Sequence, residues 1–200
     1  AIQRSVKRAI VESLKREHRT SELPESGPTY KVDVALLDDM ATLTLDTTGP
    51  SLHKRGYRKL TGAAPIRETL AAALIDLSVW NPDRTLVDPF CGTGTSPIEA
   101  ALIGLNVAPG IARQFAFEHW PDISSSVSEL RQEAQDLRRN DLPLQIVGTD
   151  RDPEALEMAR FHAKSAGVSD SIHFQQKEFE EFRSKRHYGC MVTNPPYGER

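Results

Sequence analysis

Cysteine is scarce in this chain. Cys91 and Cys190 are the two present, and they stand too far apart for a metal-binding spacing. That argues against a metal site and for reduced thiols in a cytoplasmic protein. Long apolar runs are also missing, since no stretch approaches the ~20 residues that a membrane-spanning helix needs. The first residues are polar and helical in pattern, which gives no signal-peptide pattern. A strong overall charge is absent too, at −3, so bulk charge does not announce a nucleic-acid partner. Its distribution is more informative. Residues 1–60 carry 11 Lys and Arg against 8 Asp and Glu, whereas residues 61–200 carry 14 against 20. A basic front end points to a polyanion or to a solvated helix face.

Hydrophobic periodicity gives the organisation. Ile2, Val6, Ala9, Ile10 and Leu14 recur at helical spacing over residues 2–18. Two strands follow, Tyr30 to Leu37 and Ala41 to Thr47, joined by a turn at Asp38-Asp39. A helix and a hairpin in about 50 residues make half a domain rather than a whole one. The run Ser51-Leu52-His53-Lys54-Arg55-Gly56-Tyr57-Arg58-Lys59-Leu60 is basic with one aromatic. It reads as a connector or as a contact for nucleic-acid phosphates, through Lys54, Arg55, Tyr57, Arg58 and Lys59. Ala64-Pro65 opens a helix that runs to about Trp80, with an apolar stripe of Ile66, Leu70, Ala73, Leu74 and Leu77. From there the order is helix, strand, helix, helix, strand, helix, strand, strand. Such alternation predicts an α/β fold, a doubly wound parallel sheet with helices on both faces.

The most informative stretch is Thr85 to Glu99. Leu86 and Val87 form a buried strand ending in Asp88. Gly92 and Gly94 allow a sharp turn with room for a ligand against the backbone. Thr95 or Ser96 can cap the next helix, with Pro97 in its first turn. This is a nucleotide-type binding turn. A dinucleotide fingerprint needs a third small residue where Pro97 stands. An acid at Asp88 also suits a cationic ligand better than a pyrophosphate. S-adenosylmethionine, with its ammonium and sulfonium, fits that charge. Cys91 reads as a small residue of the turn rather than a nucleophile.

Strand ends carry the other candidates, because ligands in such sheets bind beyond the carboxyl ends of the strands. Asp150 can accept from ribose hydroxyls, next to Arg151, and Asp152 is read as the cap of the following helix. Glu178 can accept from an adenine amine. Asn194-Pro195-Pro196-Tyr197 follows the last strand. Its two prolines remove two donors and leave carbonyls free. The Asn194 side-chain oxygen and the Pro195 carbonyl can hold an exocyclic NH2 group, and Tyr197 can stack on a base. Orientation and electrostatics would then carry the catalysis without a strong base.

The string Asp88-Pro89-Phe90-Cys91-Gly92-Thr93-Gly94-Thr95 resembles motif I of the class I methyltransferases that use S-adenosylmethionine. With Asn194 to Tyr197 in the right order, it resembles an amino-group methyltransferase. Asp46 to Arg58, Ala64 to Ala71, Asn106 to Trp120 and Asn194 to Arg200 resemble the THUMP-domain RNA methyltransferases, some of which modify guanine N2 in large-subunit ribosomal RNA. The resemblance implies that residues 1–50 are the C-terminal part of an RNA-binding THUMP domain. Residues 51–63 would then be a basic linker, and 64–200 the N-terminal part of a Rossmann-like methyltransferase domain. It implies that Ala64 and Pro65 line the cofactor site. With four strands of a seven-stranded sheet in hand, the chain reads as the middle of a longer protein, and inactive by itself.

The expected partner is RNA, ribosomal in the first instance, with no membrane and no metal. A DNA adenine-N6 methyltransferase would grip its base in the same way. A non-catalytic RNA-binding module is the reading from another class, and the intact Asp88, Gly92, Gly94, Asn194 and Tyr197 argue against it. A dehydrogenase using NAD would need the third glycine, which this chain lacks, and here the second acid is too distant.

Overall fold

The computed structural model describes residues 2–60, 65–121, 124–184 and 187–198. Two compact units make up the chain, Ala1–Asp46 and Thr47–Arg200. The first unit holds helix α1 (Ile2–Glu17) and an antiparallel hairpin of β1 (Lys31–Leu37) and β2 (Met40–Asp46). Asp38 and Asp39 both take positive φ, 47° and 60°, which suits a two-residue hairpin turn. Lys31 Nζ donates to both Asp33 and Asp46 and pins the open end. Val6, Ile10 and Val11 of α1 line a cleft with Tyr30, Val32, Val34 and Leu36 of the hairpin.

The second unit contains a four-stranded parallel sheet in the order β5-β4-β3-β6. Its strands are β3 (Leu86–Asp88), β4 (Ile146–Asp150), β5 (Ile172–Gln176) and β6 (Cys190–Met191). The helices are α2 (Glu68–Asp76), α3 (Thr95–Gly104), α4 (Ser124–Asp136) and α5 (Pro153–Ser165). The apolar runs Leu144 to Gly148, Ser171 to Gln175 and Gly189 to Thr193 read as strands in the sequence, and β4, β5 and β6 lie within two residues of those limits. The charged run Ser128 to Asn140 reads as a surface helix in the sequence; α4 begins and ends four residues earlier, because a charged surface pattern gives little to locate its ends.

Among the described residues, three helices gather in one layer. Helix α2 packs on α3 and α3 on α5, so the three make one layer. The strand order explains this. From β3 to β4 to β5 the sheet grows in one direction, and crossovers of one hand keep α3 and α5 on one side. Only the return to β6, on the other flank of β3, leads elsewhere, and that connection carries a 3-10 turn (Phe179–Glu181) among the described residues. The reversal makes the carboxyl end of β3 a topological switch point, where such sheets bind ligands.

Leu86, Ile98, Ile146, Leu156, Ala159, Ala163 and Val168 form the core between sheet and helices. Helix α3 is buried almost all round, so it lacks a polar face. Helix α2 turns inward Glu68, Ala71 and Ile75, at helical spacing. The predicted stripe of Leu70, Leu74 and Leu77 is exposed instead.

Glu68 explains the rotation of α2. Its carboxylate pairs with Arg58, and the neighbouring buried acid, Glu99 of α3, pairs with Arg55 at 3.2 Å and accepts from the Tyr57 hydroxyl at 3.0 Å. Arg58 also donates to the Ile66 carbonyl and to Thr95 Oγ1. Burial pushes the Glu99 carboxyl up, and Arg55 and Tyr57 oppose it. The run 47–60 is therefore no solvated linker. Arg113, itself buried, gathers the carbonyls of Thr48, Pro50, Ser51 and Lys54. A Cβ on Gly56 would lie 2.7 Å from the Ala112 carbonyl oxygen, so the strap lies flat on its neighbour. Arg55→Ala is expected to cost about 3–5 kcal/mol, because it strands a buried carboxylate. Urea unfolding measures that loss, and a loss under about 1 kcal/mol would mean the pair is solvent-screened.

Candidate functional site

The turn between β3 and α3 is gripped residue by residue. Phe90 N–H donates to Asp88 Oδ1 at 3.2 Å. Cys91 N–H donates to the Thr149 carbonyl at 3.0 Å, and Gly94 N–H to the Cys91 carbonyl at 2.8 Å. Gly92 N–H donates to Asp150 Oδ2 at 2.8 Å. Gly92 and Gly94 take φ of 51° and 85°, in the left-handed region that favours glycine. They differ in surroundings. A Cβ on Gly94 would lie 2.9 Å from Ala159 Cβ, whereas one on Gly92 would meet nothing within 4 Å. Gly94 is small for packing, and Gly92 faces open space.

That space is a cleft of about 260 Å³, lined by Pro65, Ile66, Cys91, Gly92, Thr93, Thr95, Asp150, Asp152, Ala155, Met158 and Asn194. Of the sequence candidates, the structure thus brings together Pro65, Cys91, Gly92, Thr93, Thr95, Asp150 and Asn194. Ala64 lies outside the described residues. Pro89 is fully buried beneath the turn. Arg151 is exposed, and its carbonyl accepts from Gln176. Glu178 is exposed and does not line the cleft, but its neighbour Phe179 packs on Phe90, with ring centroids 5.1 Å apart.

Asp88 lies under the turn rather than in the cleft. It is 2% exposed, and its Oδ1 also accepts from the Thr193 hydroxyl at 2.6 Å. Burial pushes its carboxyl up to about 6, while the hydrogen bonds from Thr193, Phe90 N–H and Ser96 hold it down and Asp150 raises it. Asp150 spends one oxygen on Gly92 and the other on Asp152 N–H at 3.0 Å. Each oxygen keeps a lone pair for a hydroxyl donor. Asp152 caps α5 as expected, through Glu154 N–H. The cap of α3 is Gly94, with no side-chain bond, so neither Thr95 nor Ser96 does that work. Burial above all, then the charges of Asp88 and Asp150, pushes the Cys91 thiol far up. It stays protonated and is no nucleophile.

Asn194 reaches the cleft from β6. Its Oδ1 accepts from the Tyr197 hydroxyl at 2.9 Å. Pro195, Pro196 and Tyr197 are exposed, Tyr197 at 79%, so its ring face is open to a planar ligand. The basic run fares differently. Arg55, Tyr57 and Arg58 are committed to buried carboxylates, as described above, which takes them away from phosphates. Lys54 and Lys59 remain exposed.

Two residues were missed from sequence. His162 of α5 is fully buried. Its Nε2 accepts from Leu60 N–H at 3.3 Å, so the proton sits on Nδ1, which donates to the Thr93 carbonyl at 3.2 Å. It lies on the same face as Leu156, Ala159 and Ala163, and that position was the available signal. Arg113 sits in an irregular segment with no periodicity to mark it.

Chemically, the cleft suits a ligand that brings donors or positive charge. The N–H groups of Phe90, Cys91, Gly92 and Gly94 are all spent inside the protein, and two carboxylates sit at the turn. A pyrophosphate would meet negative charge there. Thr93 Oγ1 is buried with no partner among the described residues and lines the same cleft. Among the described residues no His, Cys, Asp and Glu cluster could hold a metal ion, and no helix is long and apolar enough to cross a membrane.

Residues 55–200 match the family described as RMKL-like, methyltransferase domain. Over 99% of its length the chain is 48% identical to YpsC of Bacillus subtilis, a candidate RNA methyltransferase, and it covers 52% of that protein. A solved structure from Listeria monocytogenes, described as a predicted N6-adenine-specific DNA methylase, superposes with a TM-score of 0.94 at 49% identity, over 98% of this chain and 52% of that one. SMU.472, described as a candidate methyltransferase complexed with SAH, gives 0.91 at 46%, over 97% and 52%. These likenesses establish an α/β class I methyltransferase-like fold. The chain spans about half the length of the curated relatives it matches.

The Asp88 carboxyl holds its proton more tightly in the native state than in the unfolded chain. Its contribution to stability is therefore present at low pH and is lost as pH rises through about 6. Asp88→Asn removes that dependence. The change in unfolding free energy between pH 5 and pH 7 should shift by about 1 kcal/mol relative to wild type. Urea titrations at the two pH values measure it, and parallel profiles would contradict the burial argument.

Proposed function

The chain belongs to the RMKL-like methyltransferase-domain family, and from that premise we propose that it serves methyl transfer from S-adenosylmethionine to an exocyclic amine of a nucleic-acid base. The favoured target is guanine N2 in large-subunit ribosomal RNA. The observation that carries the reading is the placement of Asn194 on the same cleft as Gly92 and Asp150. A group bound at the turn and an amine held by Asn194 would face each other there.

The residues fit the cofactor. Gly92 leaves its open side free, Asp150 keeps a lone pair on each oxygen for hydroxyls, and Thr93 Oγ1 waits for a partner. Pro65 and Ile66 line the same cleft, and Phe90 of the turn packs on Phe179. Bound there, S-adenosylmethionine supplies the methyl group. The chain's own task is orientation. Asn194 Oδ1 and the Pro195 carbonyl accept the two amine hydrogens, which directs the nitrogen lone pair toward the donor. Tyr197 holds Asn194 with its hydroxyl and offers its ring to the base. The amine nitrogen would form its bond to the methyl carbon as the sulfur–methyl bond breaks, releasing S-adenosylhomocysteine, and the surplus proton would then pass to water, so no strong base is required.

The RNA assignment draws on the name of the Bacillus relative and on the basic α1, with Arg4, Lys7, Arg8, Lys15 and Arg16. As part of the same proposal, residues 1–50 act as the C-terminal part of a THUMP RNA-binding domain, and the protein works in the cytoplasm. An adenine amine of DNA would suit the same grip, so the assay must include it. Labelled S-adenosylmethionine with the full-length protein and unmodified ribosomal RNA, beside duplex DNA, should place label in N2-methylguanosine. Label in N6-methyladenine from DNA would overturn the RNA reading. Asn194→Ala should reduce transfer by at least about 100-fold while S-adenosylhomocysteine binding persists. Full activity in that variant would remove the amine-grip assignment.

A further inference from the structure

Asn194 needs a hold that its own backbone cannot give. The β3–β6 ladder ends early. Cys190 N–H donates to the Thr85 carbonyl and Val192 N–H to the Val87 carbonyl. Beyond Val192 the strand is finished, and Pro195 and Pro196 have no N–H to offer. A loose loop at this place would leave the amine grip free to drift against the turn.

Thr193 stands at the point where the ladder stops. Its hydroxyl donates to Asp88 Oδ1 at 2.6 Å, a contact across 105 residues of sequence. The same carboxylate oxygen accepts from Phe90 N–H, and Ser96 also bonds to the Asp88 side chain. One buried acid thus holds the start of the turn, the first turn of α3 and the residue before Asn194. Side chains add one more rung between β3 and β6 where the backbone has none.

We propose that Thr193 is a positioning residue, whose bond to Asp88 keeps Asn194 in register with the Gly92 turn so that donor and amine meet in one cleft. Its effect on catalysis rests on the methyl-transfer reading above, while the bond itself does not. The charged group that faces Asp88 is Asp150, across from β4, and the protonated Cys91 thiol lies beside them. Losing the Thr193 donor leaves the Asp88 carboxylate less well solvated, so its proton should bind more tightly.

The test uses the full-length protein as wild type, Thr193→Val, Thr193→Ser and Asn194→Ala. Carbon-13 labelled aspartate reports the Asp88 titration by NMR, with Asp88→Asn to assign the signal. Calorimetry with S-adenosylhomocysteine reports the turn. Methyl transfer from labelled S-adenosylmethionine to unmodified large-subunit ribosomal RNA, followed across pH, reports catalysis. Thr193→Val should raise the Asp88 midpoint, lower kcat by about 10- to 100-fold, and move the acid limb of kcat upward. Its S-adenosylhomocysteine affinity should change far less than kcat. Thr193→Ser, which keeps the hydroxyl, should restore the midpoint and the rate. Asn194→Ala should lower kcat with the Asp88 midpoint unmoved. An unmoved midpoint in Thr193→Val, wild-type kcat in that variant, or equal losses in Val and Ser would overturn the proposal. If wild type transfers no methyl to this RNA, the functional reading fails on its own, and the Asp88 midpoint still decides whether the Thr193 bond exists.

Discussion

The turn from Asp88 to Gly94 keeps its shape because neighbouring strand ends satisfy its backbone. Asp150 takes the Gly92 N–H, Thr149 the Cys91 N–H, and Asp88 the Phe90 N–H. From the other side the His162 ring donates to the Thr93 carbonyl. Such a turn has two properties at once. It is rigid in a left-handed conformation, and it is electronegative. The same residue types that open a phosphate cradle in other α/β proteins are used differently here, since the amide hydrogens of Phe90, Cys91, Gly92 and Gly94 are spent on carboxylates and carbonyls of the protein itself. What is left is a pocket for hydroxyls and positive charge, with the side of Gly92 open to receive them.

Behind the turn, a buried charge cluster fixes helix α3, into which the turn runs. Glu68 and Glu99 are acids almost without solvent, and each has an arginine from the strap 47–60. Replacing such pairs by apolar residues costs little, but breaking one is expensive. The cluster therefore acts as a register device. Arg58 ties the Ile66 carbonyl, on one wall of the cleft, to Thr95 at the start of α3. Arg113 fastens the strap to the segment before the 3-10 turn Ala116–His119. Both walls of the cleft are thereby set from the same strap.

The strand ends were legible because they combine strong local signals. Val87 and Asp88, Gly92 and Gly94, and the cap of α5 at Asp152 followed from residue type alone. Asn194 was legible because a proline pair beyond a strand leaves so few uses for an amide. Partners distant in sequence were not legible. Arg55 and Arg58 look like phosphate contacts in the sequence, and nothing local reveals Glu99 and Glu68 waiting for them. The inward face of α2 failed for the same reason, since a charge pair through Glu68 outweighed three leucines. Asp88 was legible as part of the turn, whereas its bond from Thr193, 105 residues away, was not.

One cleft is shared by the Gly92 turn and Asn194. Backbone amide NMR of the full-length protein, titrated with S-adenosylhomocysteine, tests this most directly. The account predicts that the largest shifts fall on Gly92, Thr93, Asp150 and Asn194, with Pro65 and Pro195 seen through their neighbours. Shifts confined to the unit Ala1–Asp46, or an unaltered spectrum at saturating ligand, would contradict it.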